Sequence, residues 1–455
     1  MLNASRSTAV TASPSVCLWL KKGSPSATLP ALRDSVVCDT AIVGAGFTGL
    51  WTAYWLNRLQ PERQIVIVEA EQPGFGASGR NGGWVIGHME GLSSLLKGSS
   101  IEQRTEACHL LTELVCGFAD ILTLEDLECD FQHGGGVLSA CRFPSQEKAA
   151  RKALQAFWDT GFSEADYHWL DAESAQERVH ARHTLGAIAT PHIGVLHPFK
   201  LVEQLTQLLL TRGVQCFANS RIIERTPDTL ISAEGSLRAG QVIWATEGYA
   251  SGAAPTQHRL LPVQSGMIAT APLSESQWGQ IGFEGRPAFC DFSHLSSYLQ
   301  KTADNRLVVG ARGSLQLWHQ PAATLSPDAV DNRFRHTLLR DLFPQLGPVE
   351  ITHAWGGSLG IPRHFYPFVQ WDPDCQEGTA GGYLGEGVAA SFLFGHTLAE
   401  LLLGAESPRT RAPWVNWGAI TASIPRWEPA PLPWLGFSAL KMLVRSTERW
   451  QSRQR

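Results

Sequence analysis

Positions 40–49 of the chain read TAIVGAGFTG, a short β-branched strand followed at once by three glycines in the spacing G-x-G-x-x-G. A helix-compatible segment comes next, and a second apolar strand, IVIV at 65–68, runs into Glu69, twenty residues after the last glycine. In a βαβ unit the first glycine allows the tight turn, the second lets the backbone approach a pyrophosphate, and the third lets the helix pack on the sheet. The acid can accept hydrogen bonds from both ribose hydroxyls. These features in this order predict a dinucleotide-binding fold.

A second glycine-rich stretch, PGFGASGRNGGW at 73–84, narrows the choice of dinucleotide. So many glycines disfavour a stable helix or strand, and such a loop can lie flat against a ligand with its amides exposed. Its polar members, Ser78, Arg80 and Asn81, could bind the rest of a pyrophosphate and a ribityl chain. An acid at Glu69 disfavours NADP, and an ordinary NAD dehydrogenase has no second glycine loop after the acid. The pattern therefore favours FAD.

Composition and charge exclude several classes of protein. The chain has 455 residues, of which 44% are hydrophobic and 17% charged, against about 25% charged in a typical soluble domain, so wholesale disorder is excluded. The net charge is −5 and no long basic run precedes the C-terminal tail, so nucleic acid is an unexpected partner. The longest apolar stretch considered, 387–399, has only 13 residues and contains His396, so we expect no membrane span.

Two further features bear on localisation. The nine cysteines are odd in number and irregularly spaced, without C-x-x-C, which favours reduced thiols in the cytoplasm over a disulfide framework or a zinc site. Residues 1–16 are expected to be a disordered leader, and a transit peptide is the alternative left open because the first 33 residues contain no acid. No secretory signal pattern is present.

The two glycine motifs carry a resemblance to a known family. The strings GAGFTGLWTAY at 44–54 and GFGASGRNGGW at 74–84 resemble the D-amino-acid oxidase (DAO) family of FAD-dependent oxidoreductases, and within it the gamma-glutamylputrescine oxidoreductase-like branch. The likeness extends along most of the chain, through a Trp-containing N-terminal element and blocks at 195–198, 242–249, 355–357 and 382–388.

The resemblance implies an α/β protein with two interleaved domains. One is a discontinuous Rossmann-like FAD-binding domain of the glutathione-reductase type, and the other is an α+β substrate domain built on a mixed sheet. We assign residues 17–130, 191–259 and 346–455 to the FAD-binding domain. Residues 131–190 and 260–345 are assigned to the substrate domain.

The resemblance also implies a set of FAD-binding residues and non-covalent binding. Relatives that resemble sarcosine oxidase attach their flavin to a cysteine after the region 355–368, where this chain has none; Cys375, the nearest, lies in an Asp-Pro-Asp-Cys turn. A glycine loop at 381–387 feeds an apolar helix, whose N-terminus would face the pyrimidine carbonyl of the flavin and stabilise its negative charge on reduction. The expected cofactor-binding residues are Gly44, Ala45, Gly46, Phe47, Thr48, Gly49, Glu69, Ala70, Gly76, Ala77, Ser78, Arg80, Asn81, Gly82, Gly83, Trp84, Val214, Ala245, Thr246, Gly356, Gly385, Glu386, Gly387 and Val388.

Four residues are candidates for the reaction itself. Arg312 ends an apolar strand and could hold a substrate carboxylate or a flavin carbonyl, with a surface arginine as the equal alternative. Gln264 stands where the branch usually has Tyr, which either alters the substrate wall or is neutral. Tyr298 could reach the pocket, although a role in core packing is favoured. His88 could also reach it, although a solvated or capping histidine is favoured. No metal site is predicted, because the histidines lack carboxylate or cysteine partners at ligand spacing.

The implied activity is oxidation of the C–N bond of a primary or secondary amine or amino acid. Hydride transfer to flavin N5 would give an imine that hydrolyses, and oxygen or another acceptor would reoxidise the flavin. Two alternatives stay open: a flavoenzyme of specialised biosynthesis that acts on an aromatic amine, and a flavin-bound subunit of a heteromeric dehydrogenase. The substrate, the acceptor and the oligomeric state are not predicted.

The C-terminal segment 432–453 reads as an amphipathic helix, with Lys441, Arg445, Arg449 and Arg453 on one face. Packing on the FAD-binding domain is favoured over docking on a membrane surface.

Overall fold

The computed structural model describes residues 17–20, 29–250, 252–293, 297–311, 332–429 and 431–452. The expected disordered leader and Arg312 lie outside these residues. The strands are β1 (Ser35–Val43), β2 (Ile65–Val68), β3 (Trp84–Ile86), β4 (Gly136–Ala140), β5 (His168–Leu170), β6 (Gly186–Thr190), β7 (Ile193–Val195), β8 (Gln215–Phe217), β9 (Glu224–Arg225), β10 (Thr229–Ile231), β11 (Ser236–Trp244), β12 (Leu260–Thr270), β13 (Ala288–Asp291), β14 (Ser297–Lys301), β15 (Leu307–Ala311), β16 (Ile351–Pro362), β17 (Phe368–Asp372), β18 (Glu377–Gly381) and β19 (Val415–Trp417). The helices are α1 (Phe47–Leu59), α2 (Leu92–Leu95), α3 (Ile101–Thr112), α4 (Leu114–Leu124), α5 (Pro144–Thr160), α6 (Ala172–Arg178), α7 (Pro198–Thr211), α8 (Glu275–Ile281), α9 (Arg333–Leu342), α10 (Gly387–Leu402), α11 (Ile420–Ser423) and α12 (Leu432–Ser452).

The first sheet contains the dinucleotide-binding unit predicted from the sequence. Its order is β19-β17-β18-β11-β1-β2-β8, with β10 and β9 added at β11. The strands β18, β11, β1, β2 and β8 pair in parallel, which requires crossover connections between them. All four residues of β2 are buried, as a parallel strand covered on both faces requires. The Rossmann-like prediction is confirmed.

Two of the motif glycines are required by close backbone contacts. Gly44 turns the chain out of β1 with φ +111°, and a Cβ there would lie 2.6 Å from the carbonyl oxygen of Ala245. A Cβ at Gly49 would overlap the carbonyl oxygen of Gly44, so α1 can approach the end of β1 only with glycine at this position. Further along α1, Trp51 packs against Gly395 of α10, which lets these two helices cross closely.

The second sheet is mixed, with the order β16-β12-β15-β14-β13-β4-β6-β5. Among its seven pairings β13–β4 is parallel, and the other six are antiparallel. The chain enters this sheet at β4 to β6, returns to the first sheet for β8 to β11, and enters the second sheet again for β12 to β16. This alternation is the interleaving that the sequence predicted.

The structure corrects one expected boundary. Segment 346–455 was assigned to the FAD-binding domain, but β16 pairs with β12 along most of its length, from Ile351 to Pro362. The chain returns to the first sheet only at Phe368. A strand's partner depends on residues far away in sequence, so strand patterning alone did not assign β16 to the right sheet.

One helical run, Ile101–Leu124, is long and apolar enough by length and composition to cross a membrane. It comprises α3 and α4, and 44% of its most apolar 18-residue window is buried within the fold. Leu111, Val115 and Phe118 belong to the main hydrophobic core, and core helices of globular proteins pass the same test. The expectation of no membrane span stays a prediction.

Candidate functional site

A cleft opens at the carboxyl ends of β1, β2 and β11, where open parallel sheets bind their ligands. The space within it, including its open mouth, is about 1280 Å³. Fifteen of the expected cofactor-binding residues line it: Gly44, Gly46, Phe47, Thr48, Glu69, Ala70, Gly76, Ala77, Ser78, Asn81, Ala245, Thr246, Gly385, Gly387 and Val388.

Two helix N-termini open into this cleft. Neither α1, capped by Gly46, nor α10, capped by Glu386, has a hydrogen bond from its own capping side chain. The hydroxyls of Thr48 and Tyr383 lie 2.7 Å apart and join the two helix starts. The helix dipoles favour negative charge at both places, so the cleft can bind a phosphate group at α1 and a second anionic group at α10.

Glu69 ends β2 and forms one wall of the cleft. One carboxylate oxygen accepts the N–H of Ala45 at 2.7 Å, and the other accepts the N–H of Glu71 at 3.0 Å. Burial raises the pKa of this carboxyl, while the two N–H groups lower it. These bonds fix the carboxylate in orientation and leave lone pairs for the hydroxyls of a ribose.

The glycine loop at 73–84 is held in place by tryptophan side chains from other parts of the chain. The indole N–H of Trp19 donates to the carbonyl of Asn81 at 2.9 Å, and that of Trp355 donates to the carbonyl of Arg80 at 3.0 Å. Trp84, within the loop, donates to the carbonyl of Leu299 at 3.2 Å in the second sheet. The loop is therefore fixed to the N-terminal element and to the second sheet before any ligand binds.

The polar side chains of this loop stabilise its shape. Arg80 donates from Nε to the carbonyl of Phe75 at 2.9 Å, and its guanidinium lies 5.6 Å from the centre of the Phe75 ring. The Asn81 amide donates to the carbonyl of Ser78 at 2.7 Å and accepts the N–H of Gly83 at 2.8 Å. The hydroxyl of Ser78 accepts the first N–H of α1, from Phe47, at 2.9 Å and so joins the two glycine motifs.

Nine expected cofactor-binding residues do not line the cleft: Ala45, Gly49, Arg80, Gly82, Gly83, Trp84, Val214, Gly356 and Glu386. Most of these lie directly behind or beside it. Val214 instead is buried in the main core, where its N–H donates to the carbonyl of Leu209. The next residue after it that lines the cleft is Ser220. Glu386 reaches away from the cleft and accepts the N–H of Glu90. Other cleft residues were not predicted, among them Arg221, Ile222, Glu247, Tyr249, Ser358, Leu359, Tyr383, Leu384 and Ser391.

Glu247 is the most unusual of these missed residues. It follows β11 in the left-handed region, with φ +43°, and its carboxylate accepts the N–H groups of Gly248 and Gly360 and, at 3.2 Å, that of Gly382. One side chain thus joins the end of β11, strand β16 and the loop before α10. Burial raises its pKa to about 7, although the N–H donors lower it.

The cleft fits FAD on the evidence of its own atoms. The hydroxyl of Thr246 is buried there and has no hydrogen-bond partner among the described residues, so a ligand group can satisfy it. A Cβ at Gly46 would lie 2.9 Å from the Ser78 hydroxyl, so glycine keeps the approach to α1 open. No cysteine or histidine occurs among the described residues that line the cleft.

Tyr298 lies where the glycine loop meets the second sheet. A Cβ at Gly82 would lie 2.8 Å from its ring, and one at Gly310 would overlap that ring. The Tyr298 hydroxyl lies 2.9 Å from the hydroxyl of Ser265 on β12. Since successive side chains of a strand alternate between faces, Gln264 belongs to the opposite face of the sheet. Gln264 pairs with Ser358 of the cleft lining, so the substrate-side roles of Tyr298 and Gln264 both stay predictions.

His88 lies in an aromatic cluster and not in the lining of the cleft. Its ring centre is 5.2 Å from that of Phe157 and 6.4 Å from that of Phe162. Burial lowers its pKa to about 4, so the ring is neutral at physiological pH. No group of three or more His, Cys, Asp or Glu side chains within the described residues is arranged to hold a metal ion.

Comparisons with known proteins agree with this geometry. The profile of the family described as "DAO: FAD dependent oxidoreductase" matches residues 39–401. The probable oxidoreductase OrdL of Haemophilus influenzae is 26% identical over 391 residues, covering 82% of this chain and 85% of that protein. Gamma-glutamylputrescine oxidoreductase of Escherichia coli is 27% identical over 382 residues, with coverages of 82% and 85%. The crystal structure of glycine oxidase from Geobacillus kaustophilus superposes with a TM-score of 0.68 at 18% identity, covering 82% of this chain and 96% of that one. The chain therefore belongs to the DAO family of FAD-dependent oxidoreductases.

Proposed function

We propose that this protein oxidises the C–N bond of a small primary or secondary amine or amino acid to an imine, which water then hydrolyses. FAD, when bound, supplies the two-electron acceptor for the α-hydrogen of the substrate. The observation that carries the proposal is the position of Tyr298, whose ring packs on Gly82 of the cofactor loop while its hydroxyl meets Ser265 of the second sheet. A substrate held at this junction would lie between the cofactor cleft and the sheet.

The side chains around the cleft suit a reaction that needs little acid–base catalysis. Among the described lining residues the carboxyls are Glu69, Glu71 and Glu247, and the cation is Arg221. Glu69 and Arg221 lie at the end that would hold the adenosine, and Glu247 is occupied by backbone N–H groups. With no histidine or lysine in this lining, the substrate amine must bind in its neutral form, so the reaction should accelerate as pH rises toward the pKa of that amine.

We propose that FAD is bound without a covalent link and that the enzyme works in the cytoplasm. The described cleft lining has no cysteine or histidine to attach a flavin, and Cys375 is exposed in the turn after β17. All nine cysteines carry free thiols, which suits a reducing compartment. Acid precipitation of the purified protein should release the yellow cofactor into the supernatant, and colour retained in the pellet would contradict non-covalent binding.

An anaerobic substrate screen tests the proposed reaction. Polyamines, amino acids, N-methyl amino acids and indole-type amines are added separately to the FAD-loaded protein, and loss of flavin absorbance is recorded. Bleaching by aliphatic amines or amino acids is the expected result. Bleaching by aromatic amines alone would contradict it and favour a role in specialised biosynthesis, and no bleaching without a second protein would favour a heteromeric dehydrogenase. Admitting air then distinguishes oxygen from another acceptor by the rate at which the colour returns.

A further inference from the structure

The C-terminal helix α12 ends the described chain, and most of its residues whose burial is described are exposed. The side chains of Leu432, Leu435, Leu440 and Met442 are between 50% and 67% exposed, which is unusual for large apolar residues. Leu432, Leu435 and Met442 are separated by three and seven residues, so they lie along one side of the helix. The sequence favoured a helix packed on the FAD-binding domain, but within the described part of the chain these apolar side chains stay exposed.

The first turns of α12 are anchored firmly to the body of the protein. Just before the helix, Arg363 makes a two-point ion pair with Glu428, with contacts of 2.8 and 3.0 Å. The indole N–H of Trp427 donates to the carbonyl of Ile361 at 2.7 Å, and the ring of Phe437 lies 5.9 Å from that of Trp427. The helix therefore leaves the body at a fixed point.

Two aromatic side chains of the body lie next to the start of α12. Phe365, in the turn between β16 and β17, is 45% exposed and its ring lies 5.9 Å from that of Trp427. Trp427 in turn contacts Phe437 of α12. Trp427 and Phe365 therefore pack at the start of α12 on the side that carries Phe437, and the side that carries Leu432, Leu435 and Met442 faces away from them.

The charge of the same segment differs in sign from that of the whole protein. The chain carries a net −5, yet residues 429–455 contain five Lys or Arg and one acid, Glu448. Lys441, Arg445 and Arg449 follow one another at intervals of four, so their positions form a row along the helix next to the positions of Leu435 and Met442. An apolar face beside a row of cations is the pattern of a helix that lies in the plane of an anionic membrane surface.

We propose that α12 docks the protein on an anionic lipid surface, with Leu432, Leu435 and Met442 inserted among the acyl chains and the cations at the headgroups. A protein partner would need no row of cations beside its apolar contact, whereas anionic headgroups pair with that row directly. This inference rests on the helix alone and does not depend on the proposed reaction.

Flotation of the FAD-loaded, full-length protein with vesicles tests the proposal. We expect binding to phosphatidylcholine vesicles that contain phosphatidylglycerol, much weaker binding to phosphatidylcholine alone, and release by salt. Each cation near an anionic surface contributes about 1 kcal/mol to the free energy of membrane binding, which corresponds to about fivefold in the partition coefficient. The double variant Lys441→Gln with Arg445→Gln should therefore weaken binding about 25-fold.

Two double variants of exposed apolar residues distinguish docking through α12 from nonspecific hydrophobic binding. Leu435→Asp with Met442→Asp should abolish flotation, whereas Ile101→Asp with Ile223→Asp, which alters exposed apolar residues elsewhere, should leave it unchanged. Both must keep the flavin spectrum and thermal midpoint of the parent. Equal binding to neutral and anionic vesicles, or no loss in the helix variants, would overturn the proposal. So would light scattering that shows a dimer which the helix variant dissociates, because the face would then be occupied by a second copy.

Discussion

Replacing Glu247 with glutamine should change how the stability of the protein depends on pH. The carboxyl is buried and its pKa is raised from its usual 4.5 to about 7, so between these values the folded protein holds a proton that the unfolded chain releases. The contribution of this bound proton to the stability of the folded protein is therefore present in full below pH 4.5 and is lost as pH rises through 7. With about 1.4 kcal/mol for each unit of pKa, this loss amounts to about 3 kcal/mol of the free energy of unfolding.

Denaturant unfolding of the parent and of Glu247→Gln measures this contribution. Both proteins are freed of FAD, so that cofactor binding does not add its own pH dependence, and both are unfolded at several values between pH 4.5 and 8. Glutamine does not titrate, so the stability of the parent relative to the variant should fall by about 3 kcal/mol across this range. Parallel pH profiles for the two proteins would refute the reasoning, whatever the absolute stability of the variant.

Three further predictions follow from individual contacts. Gly310→Ala places a methyl group where the ring of Tyr298 lies, so we expect overpacking that lowers the free energy of unfolding by about 1–3 kcal/mol. FAD binding should stay normal and anaerobic reduction of the flavin should become slower. An unchanged reduction rate would show that Tyr298 does not act on the substrate side. Trp355→Phe leaves a buried loop carbonyl without its donor, so it should lower the free energy of unfolding by about 1–3 kcal/mol and weaken FAD affinity. Trp417→Phe, at an exposed position, should change neither quantity. A thermal shift and an FAD titration measure the two effects. His88 is neutral above pH 5, so His88→Asn should leave the shape of the kcat/KM profile between pH 5 and 8 unchanged, and loss of a limb would show that the ring titrates there.

The sequence predicted those parts of the site that depend on neighbouring residues. The spacing of Gly44, Gly46 and Gly49 and the acid at Glu69 are properties of one βαβ unit, and the structure shows the close contacts that require two of these glycines. Because the geometry is local, a short motif is enough to specify it.

Contacts between distant segments were not predicted. Glu247 acts through Gly360 and Gly382, which are 113 and 135 residues away in sequence, so no local pattern marks it. Strand β16 was assigned to the wrong sheet for the same reason. Two of the 16 tryptophans, Trp19 and Trp355, hold the cofactor loop through their indole N–H groups, and they are distant from that loop in sequence.

The central claim is that the cleft holds FAD against an amine whose α-hydrogen is transferred to it. The most direct test is a single-turnover measurement under anaerobic conditions, in which the FAD-loaded protein is mixed with its best amine from the screen and with the same amine deuterated at the α-carbon. We predict that the flavin bleaches in one phase and that deuterium slows this phase, because the C–H bond breaks during reduction. A protein that takes up no FAD, or a bleaching rate that deuterium does not change, would contradict the account.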